Sequence, residues 1–167
     1  MNVLREAAPK ANLVTIERAV DGKMDEYRRI FDNSALYNHY FKKYPQMLDD
    51  CISSAIANRQ AFVAVDRNGT ALGWATIMTS HETVDGLPEL FLLGVKDTAR
   101  GRGIGQMLLH FYEEVMVGLG FHEIGIVVND WNPRARKLYD SFGYKLRKSI
   151  EDPYIGGFVD HILVKEI

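Results

Sequence analysis

The fold of this chain is decided by the stretch ELFLLGVKDTARGRGIGQMLLHFY, residues 89–112. Its first seven residues are nearly all apolar, which is typical of a central strand covered on both faces. A glycine-rich turn follows at 100–105, and the spacing of Ile104, Leu108 and Phe111 predicts an amphipathic helix. Glycine lets the backbone approach a ligand closely, and a helix N-terminus presents unpaired N–H groups. The strand, turn and helix together predict a site for a phosphate or pyrophosphate.

The spacing of the glycines narrows the class of phosphate ligand. A Walker A loop needs four residues between its glycines and then Gly-Lys-Ser/Thr, which this chain lacks. The pattern G-x-G-x-x-G fails whether it starts at Gly101 or at Gly103. The pattern that remains is Arg-x-x-Gly-x-Gly, with fixed points at Arg100, Gly103 and Gly105. Arg100 and Arg102 favour a phosphate ligand, because a guanidinium group binds phosphate oxygens in a bidentate fork.

A second motif lies in the stretch NPRARKLYDSFGY, residues 132–144. Asn132 and Pro133 are suited to cap and begin a helix, and Gly143 is suited to end it. Together with the glycine-rich loop, this motif resembles the GNAT superfamily of N-acetyltransferases. The corresponding family pattern is Asn-x-x-Ala-x-x-x-Tyr-x-x-x-Gly-aromatic, and every fixed point is filled here. The rest of the chain resembles the family in the order of its predicted elements alone.

Hydrophobic periodicity predicts the order β-α-α-α-β-β-β-α-β-α-β-β, which indicates an α/β protein with a mixed sheet and helices on both faces. The resemblance implies a GNAT-like fold, in which a mostly antiparallel sheet of about seven strands splays between two central strands, here 89–95 and 123–128. The chain is expected to form a single domain, 1–167. The first strand is predicted at 12–18, and an aromatic segment at 37–44 has helical spacing.

Composition argues against several other classes of protein. A net charge of −2 gives no reason to expect binding to nucleic acid or to an anionic membrane. The single cysteine, Cys51, forms no internal disulfide and lies in an apolar series, which predicts a small buried side chain. The histidines lack zinc-binding spacing, and no G-x-S-x-G elbow marks a nucleophile, so we expect neither a metal nor a covalent enzyme intermediate. Without a signal-peptide core or a transmembrane stretch, the protein is expected in the cytoplasm, as a monomer or a homodimer.

The resemblance implies acetyl-CoA as co-substrate, with its acetyl group transferred to a primary amine by direct attack in a ternary complex. The pyrophosphate is expected on the glycine-rich loop, and the pantetheine arm between the splayed strands, paired with strand backbone. An asparagine at position 132 both caps its helix and, in the family, touches the cofactor. The cofactor-binding residues predicted in this way are Leu93, Gly94, Val95, Arg100, Gly101, Arg102, Gly103, Ile104, Gly105, Gln106 and Asn132.

Two residues are predicted to carry the chemistry by the same resemblance. A family tyrosine at the position of Tyr139 protonates the departing thiolate, whereas simple packing in an apolar helix face is the alternative. Glu89 lies eleven positions before Arg100, as in members with a glutamate base on this strand. Two alternatives to Glu89 as the base remain: Glu89 is only a solvated charge at the start of the strand, or a chain of water molecules accepts the proton. Gly94 is either a bulge that directs an N–H at the thioester oxygen or a glycine that packing requires.

The acceptor side carries no motif. Tyr37 and Tyr40 are candidate substrate contacts, because aromatic rings attract cationic amines, although core packing explains such a stripe equally well. Glu82, Asp85 and Glu89 are expected to cluster there and to favour a cationic acceptor. We therefore expect a small molecule or a short peptide amine as acceptor. A protein N-terminal or lysine acetyltransferase, or a non-catalytic acyl-CoA-binding module of the same fold, is the alternative.

Overall fold

The computed structural model describes residues 13–167, which build a seven-stranded sheet with helices on both faces. The strands are β1 (Thr15–Arg18), β2 (Ala61–Val65), β3 (Ala71–Met78), β4 (Glu89–Val95), β5 (Glu123–Asn129), β6 (Lys145–Glu151) and β7 (Val159–Glu166). The α-helices are α1 (Met24–Arg29), α2 (Pro45–Ala57), α3 (Ile104–Gly118) and α4 (Pro133–Ser141). A π-helical segment spans Tyr37–Phe41, and short 3-10 turns span Glu82–Val84 and Asp97–Ala99. No helix within these residues is both long and apolar enough to cross a membrane.

The sheet has the order β1-β2-β3-β4-β5-β7-β6, and every neighbouring pair is antiparallel except β4 and β5. That parallel pair shares a single register position, Glu89 opposite Gly125. Beyond this position the two strands diverge. The predicted α/β class, the mostly antiparallel sheet and the splayed central strands are therefore confirmed.

Two apolar clusters cover the two faces of the sheet. One consists of α3, α4 and the strands beneath them, with Leu108, Leu109 and Ile126 fully buried. The other consists of α1, α2 and the π-helical segment, with Phe31 and Trp74 at its centre. Each helix buries one apolar stripe against the sheet. Because helices cover both faces, side chains from both layers are able to reach the gap between β4 and β5.

The strand β4 contains a register shift at Phe91. Thr76 of β3 lies opposite Leu92, whereas the next residue, Ile77, lies opposite Leu90, so Phe91 is the extra residue. Phe91 and Leu92 consequently both pack towards α1 and α2, while Leu90 packs towards α3. In a regular strand, residues five apart face opposite sides. The bulge therefore places Glu89 on the same side of the sheet as Gly94.

Gly94 itself is not the bulge, so that interpretation was wrong. It pairs regularly with Trp74, and a Cβ atom at this position would lie 2.6 Å from Cε1 of Phe31. The alternative, that packing requires a glycine, is the one that fits.

Two predicted elements differ in detail. The first strand begins at Thr15, and residue 12 of the predicted strand lies outside the described residues. The aromatic segment is a π-helix rather than an α-helix, with the N–H of Lys42 donating to the carbonyl of Tyr37. The wider turn lets the adjacent rings of Tyr40 and Phe41 both reach the core.

Replacing Gly94 with alanine is expected to destabilise the protein by about 1–3 kcal/mol, because the new methyl group overlaps the Phe31 ring. Urea denaturation measures the change. Gly118→Ala is the matched control, since a Cβ there meets no atom within 4 Å, and it should be neutral or stabilising. The double variant Gly94→Ala, Phe31→Leu should lose less stability than the two single changes added together. Strict additivity would contradict the steric explanation.

Candidate active site

A cavity of about 740 Å³ opens where β4 and β5 diverge. The cavity wall is formed by the glycine-rich loop, the whole of β4, the end of β5, one side of α4 and the segment before the π-helix. Among the predicted site residues of the described chain, Arg102 and Tyr37 do not line it. The predicted site residues that line the cavity are Glu89, Leu93, Gly94, Val95, Arg100, Gly101, Gly103, Ile104, Gly105, Gln106, Asn132, Tyr139 and Tyr40.

The glycine-rich loop presents a helix N-terminus to the cavity. Gly101 and Gly103 have φ angles of 77° and 79°, a left-handed conformation that favours glycine. Gly103 caps α3, and its carbonyl accepts the N–H of Met107. No backbone carbonyl in residues 13–167 accepts the N–H groups of residues 103–106. These donors and the helix dipole are suited to an anion.

Arg100 uses its guanidinium group differently from the bidentate phosphate fork that its position suggested. Its Nε donates to the carbonyl of Val95, and its two terminal nitrogens donate to the carbonyls of Asn33 and Asp32, each at 3.1 Å. The side chain therefore ties the loop to the segment that follows α1. The predicted second arginine, Arg102, is exposed.

Glu89 is buried at the point where β4 and β5 still meet. Its side chain is 3% exposed, so the alternative of a solvated charge at the start of the strand is wrong. Desolvation, followed by the like charge of Asp160, raises the pKa of Glu89 to about 8. Its Oε2 lies 2.6 Å from Nδ1 of His81, but the contact lacks hydrogen-bond geometry, and neither atom has another partner in the described chain.

Tyr139 lies on α4 and reaches the same cavity from the opposite face of the sheet. Its ring packs edge-on against Tyr144 at 6.1 Å between centroids, so the packing role exists. Burial, and then the charge of Glu89, raise the pKa of its phenol above the ordinary value. The phenol therefore keeps its proton at neutral pH and is able to donate it.

A third tyrosine fixes the point where the strands part. The hydroxyl of Tyr112 on α3 donates to the carbonyl of Pro88 at 2.8 Å and lies 3.1 Å from the carbonyl of Gly125. The N–H of Gly125 donates to the carbonyl of Pro88 as well. These bonds hold the first residue of β4 against β5, and with it the Glu89 carboxylate.

The acidic residues expected on the acceptor side do not cluster there. Asp85 pairs with Lys148 at 2.5 Å on the surface, and Glu82 is exposed, so only Glu89 lines the cavity. The acids found near it are Asp152 and Asp160, each 4% exposed. The expectation was wrong because the 82–85 turn directs the side chains of Glu82 and Asp85 to solvent, while Val84 is buried.

These two aspartates belong to a buried hydrogen-bond network that sequence reasoning missed. The Tyr40 hydroxyl donates to Asp152, whose other oxygen accepts the N–H groups of Tyr154 and Ile155. The Asn129 amide lies 2.9 Å from the Tyr40 oxygen and 3.2 Å from Asp152, and it also donates to Asp160. One sequence signal pointed to Asp160, which is a polar residue on the buried side of the apolar strand β7. Tyr40 is thus mainly structural, although it still lines the cavity.

The remaining predicted positions have clear structural roles. Asn132 accepts the N–H of Ala135 at 3.2 Å, which is the helix cap that was predicted. Tyr37 packs into the cluster of α1 and α2 instead of facing the cavity, so its assignment as a substrate contact was wrong. Tyr37 and Tyr40 both lie on the π-helical segment, but Tyr40 lines the cavity and Tyr37 does not.

A split mixed sheet with a glycine-rich helix N-terminus at the split defines a cofactor-binding α/β protein. The sequence model of the Acetyltransferase (GNAT) family matches residues 24–144. The chain belongs to the GNAT acetyltransferase family.

Similar proteins support this assignment over part of their length. The chain is 40% identical to a blasticidin-S acetyltransferase from Streptomyces morookaense over 76 residues, which are 46% of this chain and 54% of that protein. It is 29% identical to a mycothiol acetyltransferase from Thermobispora bispora over 86 residues, which are 50% of this chain and 29% of that protein. The chain thus spans about half or less of these relatives.

Solved structures share the fold over nearly the whole chain. The ribosomal-protein-S18-alanine N-acetyltransferase of Escherichia coli superposes with a TM-score of 0.70 at 18% identity, covering 93% of this chain and 94% of that one. Arabidopsis thaliana Naa50, solved with the bisubstrate analogue CoA-Ac-MVNAL, has a TM-score of 0.68 at 23% identity, covering 92% and 99%. At such identities the likeness concerns the fold alone.

The raised pKa of Glu89 predicts a pH-dependent stability. Between its ordinary pKa of 4.5 and about 8, the folded state keeps a proton that the unfolded state releases, so unfolding becomes easier as pH rises through this window. Asp160 adds an effect of the same sign between 3.8 and about 6. We expect the stability advantage of Glu89→Gln over the wild type to grow by a few kcal/mol from pH 5 to pH 9.

Urea denaturation at several pH values measures this difference. Glu82→Gln, at an exposed position in the preceding 3-10 turn, removes the same charge and should show no such trend. A constant difference between the wild type and Glu89→Gln across the pH range would mean that Glu89 titrates normally.

Proposed function

We propose that this chain transfers the acetyl group of acetyl-CoA to a primary amine of a small cationic molecule. The observation that carries the proposal is that one cavity is lined by an anion-binding helix N-terminus, a buried carboxylate and a protonated phenol. Membership of the acetyltransferase family and the names of its relatives support the reaction type. The buried acids of the cavity support a cationic acceptor.

The cofactor has a suitable place in this geometry. The N–H groups of residues 103–106 and the dipole of α3 would hold the pyrophosphate. The edges of β4 and β5 beyond Glu89 and Gly125 do not pair with each other, so residues 93–95 offer backbone groups for the amides of pantetheine, except for the Val95 carbonyl that accepts Arg100. When bound, acetyl-CoA supplies an activated acetyl group as a thioester. Asn132, on the cavity wall, is the remaining candidate contact.

The two titratable groups are suited to opposite proton transfers. The attacking amine must lose a proton before its lone pair is available, and the Glu89 carboxylate accepts it. The nitrogen then forms a bond to the carbonyl carbon of the thioester, and the carbon–sulfur bond breaks. Tyr139 donates a proton to the departing sulfur, and the second proton that the acylated nitrogen has to lose restores the phenol. Because Glu89 and Tyr139 approach the gap from opposite faces of the sheet, the acetyl group would lie between them.

Two alternatives make different demands on the same cavity. A protein N-terminal or lysine acetyltransferase needs an open groove for a peptide chain. It would use Glu89 in the same way, but it has no obvious use for the buried Asp160. A non-catalytic acyl-CoA-binding module would need the helix N-terminus but neither Glu89 nor Tyr139. The two residues therefore separate catalysis from binding, and the size of the acceptor separates the substrate classes.

A charge change at Gly103 tests the pyrophosphate site. Asparagine and aspartate both tolerate the left-handed conformation of this residue and have the same shape, so they differ only in charge. We expect Gly103→Asp to weaken acetyl-CoA binding about tenfold or more relative to Gly103→Asn, because a carboxylate would repel the phosphates. Calorimetry with the two folded variants measures the ratio. Equal affinities would remove the loop from the proposed site.

Replacing the proposed acid and base tests catalysis. Glu89→Gln should lower kcat/KM by about 10²–10⁴-fold and remove the part of the acidic limb that rises towards pH 8. The groups that share its surroundings are His81, Asp160, Tyr112 and Tyr139. Tyr139→Phe should lower kcat with little change in acetyl-CoA affinity.

Thiol release with small amines and with short peptides provides the assay. Tyr144→Phe removes a buried hydroxyl that lies outside the cavity lining, and it is the control for Tyr139→Phe. Glu82→Gln is the control for Glu89→Gln. Wild-type rates and pH profiles in both test variants would leave Glu89 and Tyr139 with structural roles only. No thiol release from the wild type with any amine or peptide would support the non-catalytic binding module, and turnover of peptides alone would reject a small-molecule acceptor.

A further inference from the structure

The cavity wall contains a second buried carboxyl group, that of Asp160, which the proposed proton transfers by Glu89 and Tyr139 do not use. Asp160 lines the cavity with 4% of its surface exposed, and among the described residues only the Asn129 amide donates to it. Asp152 lies directly behind, held by Tyr40 and by the same Asn129 amide. Burial, followed by the neighbouring Asp152 charge, raises the pKa of Asp160 to about 6. Asp160 is therefore an anion at neutral pH.

No lysine or arginine of residues 13–167 forms an ion pair with Glu89, Asp152 or Asp160. Buried charges are costly unless an opposite charge accompanies them. Glu89 independently indicates a polar ligand site, because its buried Oε2 faces Nδ1 of His81 at 2.6 Å without hydrogen-bond geometry and has no other partner in the described chain. At neutral pH the carboxylate of Asp160 is thus a negative charge on the cavity wall that no lysine or arginine of the described chain compensates, and it is complementary to a cation.

The two cavity acids lie at different depths along the sheet. Glu89 is in register with Gly125, whereas Asp160 is in register with Asn129. Four residues of a strand span about 13 Å, and two side chains directed into one cavity shorten that gap. The two carboxyl groups thus occupy separate positions on one cavity wall, near enough for the charge of Asp160 to raise the pKa of Glu89. A molecule with two amino or guanidino groups joined by a short flexible chain is able to reach both positions.

Resting on the function proposed above, we propose that the acceptor carries a second cationic group, an ammonium or guanidinium, and that Asp160 binds it. The reacting amine lies at Glu89, and the second group lies at Asp160, supported by Asn129, Tyr40 and Asp152. The acceptor class is thus a diamine or a guanidino-amine. Asp160 sets specificity and takes no part in proton transfer.

The experiment compares α,ω-diaminoalkanes of three to six carbons, and 4-aminobutylguanidine, with the monoamine of each chain length. Thiol release from acetyl-CoA gives kcat/KM for each compound. We expect at least one dication to exceed its monoamine by about tenfold or more, because a buried carboxylate discriminates strongly between a paired and an unpaired state. In Asp160→Asn this ratio should fall towards one, mainly through KM. Asp130→Asn, which removes an exposed charge from the same end of β5, should keep the ratio.

Each result has a definite meaning. Equal kcat/KM for dications and monoamines in the wild type overturns the inference while leaving the acetyltransferase proposal intact, and this comparison needs no variant. An unchanged ratio in folded Asp160→Asn also overturns it. If no amine is acetylated, the proposed function fails, and calorimetry of dication and monoamine binding to the CoA-bound protein decides the inference. Tighter binding of the dication, lost in Asp160→Asn, would support the site, and equal binding would reject it.

Discussion

The rest of this structure depends on the one position where β4 and β5 meet. Tyr112 and the N–H of Gly125 both bond to the carbonyl of Pro88, so the two parallel strands are held together at one end and free at the other. Gly125 has to be a glycine, because a Cβ there would lie 2.9 Å from the side chain of Val84. The cavity, the unpaired strand edges and the burial of Glu89 all follow from this joint.

Side-chain hydrogen bonds connect the glycine-rich loop to the segment that follows α1. Arg100 bonds to the carbonyls of Asp32, Asn33 and Val95, and the side chain of Asn33 donates to Asp97 at 2.8 Å. The segment after α1 is therefore fastened to the loop that would hold the cofactor. The long cationic side chain serves here as a brace, because its guanidinium group donates to three carbonyl groups on two separate segments of the chain.

Sequence reasoning located the local features and missed those that depend on distant residues. The bounds of β4, the cap at Asn132 and the helix after the glycines were predictable, since turn chemistry and periodicity act over a few residues. The network around Asp160 was not, because it joins β5 to β7 and to the π-helix through pairings distant in sequence. The role of Arg100 was missed for the same reason, since its partners lie 67 and 68 residues away.

The bulge at Phe91 has a consequence for how such a site changes during evolution. It is the only irregularity between Glu89 and Gly94, and it alone sets which side of the sheet the carboxylate faces. Deletion of one codon there would restore a regular strand and turn the acid towards α3, while leaving the glycine-rich loop and its helix in place. A descendant of this protein could lose the buried carboxyl group of the cavity in one genetic event and keep the glycine-rich helix N-terminus unchanged. Within a family that shares this loop, the length of β4 before Gly94 is therefore as informative as the identity of its residues.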